Sequence, residues 1–224
     1  MKYFKYAKVD SVTGVSVRIE DSVNGPYHPA LPDLDIKFER DYVFAIAGDA
    51  AIADPSNFIF ELTENEMFDE IKHEVELRKQ DYINQCDVVE TNIRNAFMST
   101  HSTELAAAAF KVPEAKAALE ATDEQADVVA PHVKAEADVR GITTKDMAQK
   151  IIDKFNAYMA AEAMVSGVSG KKRDAIKKIT FDEADPFACL DEFGMQVDSG
   201  DLDPIGNPMK RPKYDINVGW PSFS

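Results

Sequence analysis

The chain has 224 residues, of which 45% are hydrophobic and 29% charged, and its formal net charge is −15 at pH 7. A chain of this length can bury a core without disulfides, and its composition disfavours widespread disorder. The negative charge opposes binding to anionic surfaces, so we expect neither a nucleic-acid nor a membrane partner. The opening MKYFKYAKVD is too polar for a signal peptide, which predicts synthesis in a cytoplasm.

Residues 1–62 have the composition of a small β domain. Short runs rich in β-branched and aromatic residues, bounded by turn residues, are typical of strands. The runs that fit are YFKYAKV, VSVRIED, YVFAIAG and residues 58–62. NGPYHPALPD contains three prolines and is predicted to be a loop, because proline cannot donate to a β-ladder. We expect four strands in a small antiparallel sheet that needs a second layer to cover its apolar face.

A long helix is predicted over residues 63–98. Thr63 and Glu66 have the spacing of a capping box, with acidic residues in the first turn. Thirty-six residues of helix would extend about 54 Å, beyond the width of a small domain, so the far end must project or pack on other helices. Apolar residues follow at helical spacing: Met67, Ile71, Val75, Tyr82, Cys86, Val89, Ile93 and Phe97.

The segments ELAAAAF, PEAKAALEA and DEQADVVAPHVKAEADVR are rich in alanine and glutamate. They have high helix propensity but bury little area each, so we expect them to pack closely in a bundle or coiled coil. Pro113 suits the first turn of a helix, and Pro131 indicates a kink or a new helix. With its neighbours on either side, this region forms a predicted helical domain over residues 63–179.

The last predicted helix begins at Thr143, which has capping spacing to Asp146. A stripe follows at helical spacing and is expected to be buried against helix 63–98 or against a neighbouring copy, giving a homo-oligomer through the helical region. Gly167 and Gly170 are predicted to end this helix, and a short basic helix over 171–179 should carry its charges on the solvent face. The stripe consists of Met147, Ile151, Phe155 and Tyr158.

Residues 180–224 are predicted to form an extended arm. From Phe181 onward the 44 residues contain five prolines, four glycines and nine acidic residues, with no helical or strand period. Aromatic side chains spaced along such a segment can each fill a pocket on another subunit or on the chain's own body, with Trp220 as the strongest anchor. The alternative is a loosely wrapped tail with Trp220 in solvent. The predicted anchors are Phe187, Phe193, Tyr214, Trp220 and Phe223.

The sequence contains no catalytic, cofactor-binding or metal-binding motif that we can identify. G-x-G-x-x-G, G-x-x-x-x-G-K, G-x-S-x-G and C-x-x-C are all missing, and the four histidines are dispersed. Asp198, Asp201 and Asp203 lack the spacing of a calcium loop and are predicted to form a solvated acidic turn. Cys86 and Cys189 are expected to be reduced. We therefore expect a protein without enzymatic activity, metal or cofactor.

The stretch FIFELTENEM after DPSN, together with the opening YFKYAKVDSVTGVSV, resembles the start of small tail proteins of tailed bacteriophages, of the tail-fibre and tail-fibre-assembly type. VRGIT, AQKII and SGVSGKKRDAI are similar to a helical segment near the C-terminus of such proteins. The resemblance covers residues 1–75 and 137–179. It implies a non-enzymatic structural subunit in the virion tail, at the baseplate or the fibre attachment, whose partners are other tail subunits.

Three alternatives remain open at this point. The chain could be a tail-fibre assembly chaperone that is absent from the mature particle, or a cellular interaction module. It could also be a hydrolase acting on cell wall or glycan, which would need two carboxylates about 5 to 9 Å apart in a cleft.

Overall fold

The computed structural model describes residues 1–7, 19–21, 25–27, 31–40, 42–99 and 102–222. A small antiparallel sheet of four strands is followed by a long helix and further helices, which confirms the predicted α+β class. The strands are β1 (Lys2–Ala7), β2 (Ile19–Asp21), β3 (Gly25–Tyr27), β4 (Asp35–Glu39), β5 (Tyr42–Ala47), β6 (Ile59–Leu62), β7 (Gln196–Leu202) and β8 (Pro208–Pro212). The helices are α1 (Glu64–Ser99), α2 (Ser102–Glu120), α3 (Asp123–Val129), α4 (Pro131–Arg140), α5 (Thr144–Lys177) and α6 (Ala188–Gly194).

The chain divides into two compact units. The first comprises Met1–Leu77 and Phe181–Asp191, and the second comprises Arg78–Thr180 and Glu192–Ser224. These limits differ from the predicted boundaries after residues 62 and 179, which follow changes of composition along the chain rather than packing. In particular, the predicted arm contributes residues to both units.

The sheet of the first unit has the strand order β4-β5-β1-β6, with every neighbouring pair antiparallel. Tyr6 lies opposite Val43 on one side and Ile59 on the other, and all three side chains are buried. Alternate residues point to the same face of a strand, so this face gathers the apolar residues of three strands. The cluster comprises Phe4, Tyr6, Leu31, Val43, Ala45, Ala47, Ala51 and Ile59.

The predicted strand composition of this sheet is wrong in one place. The described part of VSVRIED, β2, pairs with β3 in a separate two-stranded ribbon, and the fourth strand of the sheet is β4. Asp35, Lys37 and Glu39 alternate with apolar residues in β4, a pattern suited to an edge strand because the charged positions remain hydrated. β4 is adjacent to β5 along the chain, and a short connection favours antiparallel pairing.

The capping box at the start of α1 is confirmed. The Thr63 backbone N–H donates to Glu66 Oε2 at 2.8 Å, and the Glu66 N–H donates to Thr63 Oγ1 at 3.3 Å. Hydrogen bonds to its carboxylate lower the pKa of Glu66, which favours the charged form at the positive end of the helix. α1 then continues without a break to Ser99, as its apolar spacing predicts.

In the second unit, α2 to α4 and the start of α5 enclose a core of small side chains. α2 is a single helix with Pro113 inside it, so the prediction of two separate helices is wrong. Pro131 does begin a new helix, and Gly141 ends α4 with φ 64°. The core comprises Ala115, Ala118, Ala126, Ala130, Val133, Ala137, Met147 and Ala148, with Leu119, Ile142, Ile151 and Ile152 packed against it.

α5 is longer than predicted. Thr143 caps it by accepting a hydrogen bond from the Asp146 N–H at 3.1 Å, as expected. Gly167 and Gly170 lie inside the helix, however, and no separate basic helix follows. The helical burial pattern continues across both glycines, from Val165 through Ser169 to Ile176, and this packing outweighs the intrinsic penalty of about 1 kcal/mol for a glycine within a helix.

The predicted arm contains more regular structure than its composition indicates. α6 is followed by a hairpin of β7 and β8. In the hairpin turn, Asp203 Oδ1 accepts hydrogen bonds from the N–H groups of Ile205 at 2.9 Å and Asn207 at 2.8 Å, and Gly206 has φ 88°. An aspartate side chain that accepts hydrogen bonds from nearby backbone N–H groups takes the place of a backbone hydrogen bond in a turn. This explains the position of Asp203, one of the three aspartates in the predicted acidic turn.

Candidate interaction site

The most polar contact of the second unit joins the second half of α1 to the second half of α5. We call it the α1–α5 seam. Helix α1 contributes residues four apart. Four of the five α5 residues are spaced by four, three and four, and Lys172 lies beside the last of them, so each set lies on one face of its helix. The seam consists of Tyr82, Cys86, Glu90 and Arg94 from α1, with Glu162, Ser166, Ser169, Lys172 and Arg173 from α5.

Glu90 lies at the centre of the seam and is 6% exposed. Its Oε2 accepts hydrogen bonds from Ser169 Oγ at 2.5 Å and from the Arg173 guanidinium at 2.6 Å. Its Oε1 lies 2.7 Å from Arg94 Nη1. A buried carboxylate is tolerated only when it is paired and hydrogen-bonded, and here three donors satisfy it. Arg173 also binds Asp87, so its charge is paired across the seam rather than carried on the solvent face as predicted.

Next to Glu90, a second ion pair, between Arg94 and Glu162, joins α1 to α5. Arg94 donates to Glu162 Oε1 through Nε at 2.9 Å and through Nη2 at 2.5 Å, and Nη2 also donates to Ser166 Oγ at 3.0 Å. These bonds, chiefly the one to Glu162, raise the pKa of Arg94. The planar fork of an arginine fixes the orientation of the carboxylate, so this pair sets the register of α1 against α5.

At the other end of the seam, the polar groups are shielded from water. Burial, with the neighbouring Cys86, raises the pKa of Tyr82 to about 12. Burial also raises the pKa of the Cys86 thiol and lowers the pKa of Lys172. A thiol held in its protonated form is a weak nucleophile, so this environment does not activate Cys86.

The end of the chain covers this part of the seam. We call residues 213–222 the C-terminal segment. The Lys172 ammonium donates to the backbone carbonyl of Asp215 at 2.6 Å and lies 5.7 Å from the centre of the Trp220 ring. The rings of Tyr82 and Tyr214 meet edge to face, with centroids 6.3 Å apart. Around Lys172 and Tyr82, the segment is therefore held by a charged hydrogen bond, a cation–π contact and an aromatic pair.

The base of the hairpin is fixed to the start of this segment. Glu192 accepts hydrogen bonds from the Tyr214 hydroxyl at 2.6 Å and from the Lys213 ammonium. These two bonds lower the pKa of Glu192. The Lys213 N–H also donates to the Met195 carbonyl at 2.9 Å, which extends the pairing of the hairpin by one bond.

The structure places the predicted aromatic anchors in different surroundings. Tyr214 and Trp220 lie on the seam, and Phe193 is half-buried with its ring 5.8 Å from the Arg78 guanidinium. Phe187 belongs to the first unit, where its ring lies 6.4 Å from that of Phe44. Phe223 falls outside the described residues. The four described anchors contact the chain's own body, and a role for them at a subunit interface stays a prediction.

The predicted apolar stripe on α5 is divided between two environments. Met147 is buried and Ile151 packs against the small-residue core, whereas Phe155 and Tyr158 are half-buried. The core around Met147 is supplied by α2, α3 and α4 rather than by α1, which was one of the two predicted partners. α1 instead meets α5 further along, through the seam. Burial of the stripe against a neighbouring copy is still a prediction.

Sequence reasoning missed the seam itself. Carboxylates on helices are usually exposed to solvent. Here Glu74 is 3% exposed and pairs with Arg40 at 2.5 Å in the first unit, and Glu90 is buried in the second. One signal was available in the sequence. The polar residues 162, 166, 169 and 173 recur at helical spacing within a run of small apolar residues, which is typical of a polar stripe that faces a partner.

Within the part of the chain that the structure describes, no three His, Cys, Asp or Glu side chains come together in a group that could hold a metal ion. Nor does any helix among those residues have the length and hydropathy to cross a bilayer. Both cysteines are buried, and they do not form a disulfide. Comparison with protein-family models, with curated proteins and with solved structures finds no match to this chain.

Proposed function

We propose that the chain is a non-enzymatic structural subunit of a bacteriophage tail, at the baseplate or fibre attachment, and that it works through protein–protein contacts. The resemblance of residues 1–75 and 137–179 to small tail proteins supports this proposal. The observation that carries it is the seam, where the charged side chains of Glu90, Arg94, Glu162 and Arg173 are paired with one another. Side chains that pair in this way hold helices together and are not available to bind and transform a substrate.

Exposed apolar side chains supply surfaces for neighbouring subunits. The hairpin presents Leu202 at 65% exposure and Ile205 at 84%. The bond from the Ile205 N–H to Asp203 holds the backbone of Ile205 in the hairpin turn, so little backbone entropy is lost when that residue is buried in a contact. Other tail subunits are the proposed partners, and the virion tail is the proposed location.

The alternative from the same family is a chaperone that assists fibre assembly and leaves before the particle matures. Quantitative mass spectrometry of purified particles of the encoding phage separates the two roles. A fixed number of copies per particle is expected for a structural subunit. Its absence from particles, together with a loss of fibres when the gene is removed, would replace this proposal with the chaperone.

A matched pair of variants tests which exposed surface is used. Ile205→Asp is expected to lower incorporation into particles at least tenfold, because it places a charge in a contact that must lose its water. Val139→Asp changes an equally exposed residue on a different element and is the control. Equal incorporation of both variants at the wild-type level would exclude the hairpin as a contact surface. Clearing of cell walls or glycan by the purified chain would contradict the non-enzymatic role itself.

A further inference from the structure

We propose that the C-terminal segment is a strap that opens and closes over the α1–α5 seam without unfolding of the second unit. In its closed position the segment keeps reagents in the solvent from the Cys86 thiol. This device lies within one copy of the chain and does not depend on the assignment to a phage tail.

The C-terminal segment contains a turn that is closed by its own bonds. Trp220 Nε1 donates to the Ile216 carbonyl at 2.6 Å, and the Asn217 N–H donates to Asp215 Oδ1 at 2.8 Å. Gly219 has φ 83°, a left-handed conformation that a glycine adopts without strain. The turn therefore keeps these bonds when it leaves the helices, and it can move as one body.

Lys172 of α5 holds this turn down. Its ammonium donates to the Asp215 carbonyl at 2.6 Å and lies 5.7 Å from the centre of the Trp220 ring. Every residue of the C-terminal segment is half-buried or exposed. Opening therefore uncovers little apolar surface, so it costs less free energy than unfolding the whole unit.

The start of the segment is tied to the hairpin rather than to α5. The carboxylate of Glu192 accepts hydrogen bonds from the Tyr214 hydroxyl at 2.6 Å and from the Lys213 ammonium, and the Lys213 N–H donates to the Met195 carbonyl at 2.9 Å. These bonds can persist when the turn leaves Lys172. The hinge of the opening therefore lies near Tyr214.

The two helices remain joined when the segment opens. Glu90 binds Ser169 and Arg173, and Arg94 binds Glu162, so each of these contacts joins α1 directly to α5. The residues of the C-terminal segment take no part in them. Loss of the segment thus leaves the centre of the seam with its own hydrogen bonds and ion pairs.

Cys86 lies beneath the two helix side chains that contact the segment. Its exposed fraction is 0%, whereas Tyr82 and Lys172 are half-buried. Cys86 shares a hydrogen bond with Tyr82 and lies close enough to Lys172 for their charges to interact. When the turn leaves, the Lys172 ammonium regains water, and its flexible side chain can swing outward. This movement opens a path from the solvent to the thiol.

The first test measures how fast Cys86 reacts with iodoacetamide, a neutral thiol reagent, in the folded full-length chain. The modified peptides are quantified by mass spectrometry. Trp220→Ala removes the ring beside Lys172 and the bond that closes the turn, so it is expected to raise the rate at Cys86 at least tenfold. Cys189 is buried in the first unit and is the internal control, whose rate should not change.

A second variant separates opening of the segment from unfolding of the unit. Thr143→Ala removes the cap of α5 at the opposite end from Lys172 and should leave the rate at Cys86 within twofold of the wild-type rate. Because opening exposes little surface, the wild-type rate should also depend only weakly on urea below the unfolding transition. Equal rates at Cys86 in Trp220→Ala and wild type would overturn the proposal. So would an equal acceleration by Thr143→Ala, or a urea dependence as steep as that of global unfolding.

The second test follows the segment through Trp220, the only tryptophan in the chain. Lys172→Met keeps the length of the side chain but removes the charge and the donor to Asp215. It is expected to raise the acrylamide quenching constant of Trp220 at least twofold and the rate at Cys86 at least fivefold, with an unchanged far-UV circular dichroism spectrum. Lys171→Met, at the exposed neighbouring residue, is the matched control and should alter neither. Equal effects of the two variants, or wild-type values for both measurements in Lys172→Met, would contradict the role of Lys172 in holding the segment closed.

Discussion

Removing the Glu90 carboxylate is expected to lower the free energy of unfolding of the second unit by about 3 kcal/mol. Three contacts are lost in Glu90→Ala: the hydrogen bonds from Ser169 and Arg173 and the ion pair with Arg94. Breaking a buried ion pair typically costs about 3 to 5 kcal/mol. The lower end applies here, because Arg94 keeps Glu162 and Arg173 keeps Asp87 after the change.

The assay is urea unfolding followed by far-UV circular dichroism and by Trp220 fluorescence. In a thermal unfolding experiment on a chain of this size, a loss of about 3 kcal/mol corresponds to a fall of roughly 6 to 12 °C in Tm. Glu162→Ala is the matched control, since it removes a more exposed carboxylate and is expected to cost below about 1 kcal/mol. Equal losses in the two variants, or a loss below about 1 kcal/mol for Glu90→Ala, would refute the reasoning that burial makes this carboxylate important.

Three other predictions follow from side chains described above. Met147→Ala should destabilise the second unit by about 2 to 5 kcal/mol in urea unfolding. Met164→Ala is the control and should leave stability unchanged, because its side chain is 58% exposed. Similar effects at both sites would contradict the assignment of Met147 to the buried face of α5 and Met164 to the exposed face. Thr143→Ala should cost about 1 kcal/mol by removing the cap of α5, and Thr143→Ser should restore most of it. The Tyr82 pKa of about 12 is above its ordinary value of 10, so the folded state holds this proton more tightly than the unfolded state. The free energy of unfolding should therefore fall as pH rises from 10 to 12, and the fall should be smaller in Tyr82→Phe. The same pH dependence in Tyr82→Phe and in the wild-type chain would show that Tyr82 is exposed to water.

The sequence predicted those features that depend on local chemistry. The start of α1 could be assigned from Thr63 and Glu66 because a capping box lies within four residues and involves only neighbouring groups. The same holds for Thr143, and for Pro131 as the first residue of a helix. These signals are read correctly from one segment without knowledge of its partner.

Features that depend on distant partners were not predictable in the same way. Gly167 and Gly170 indicate the end of a helix in isolation, and only the packing on either side of them explains why α5 continues. Glu90 lies four residues after Cys86 on the same face of α1, but a carboxylate on that face is understood only once Ser169 and Arg173 are brought to it from α5. The hairpin in the arm was missed because its strands contain mostly polar residues and prolines, and their few apolar residues do not alternate regularly.

The two glycines inside α5 have a consequence for how quickly the seam opens. A Cβ added at either position would meet nothing within 4 Å, so close packing does not require glycine at either site. Each glycine nevertheless weakens its helical turn by about 1 kcal/mol relative to alanine. The turns around residues 167–170 should therefore exchange their amide hydrogens with solvent faster than the turns near Met147. Lys172 lies just beyond them, so transient unwinding there would release the Asp215 carbonyl. The lifetime of the docked C-terminal segment would then be set by local unfolding of α5 around residues 167–170. Gly167→Ala would prolong that lifetime without changing any residue of the segment.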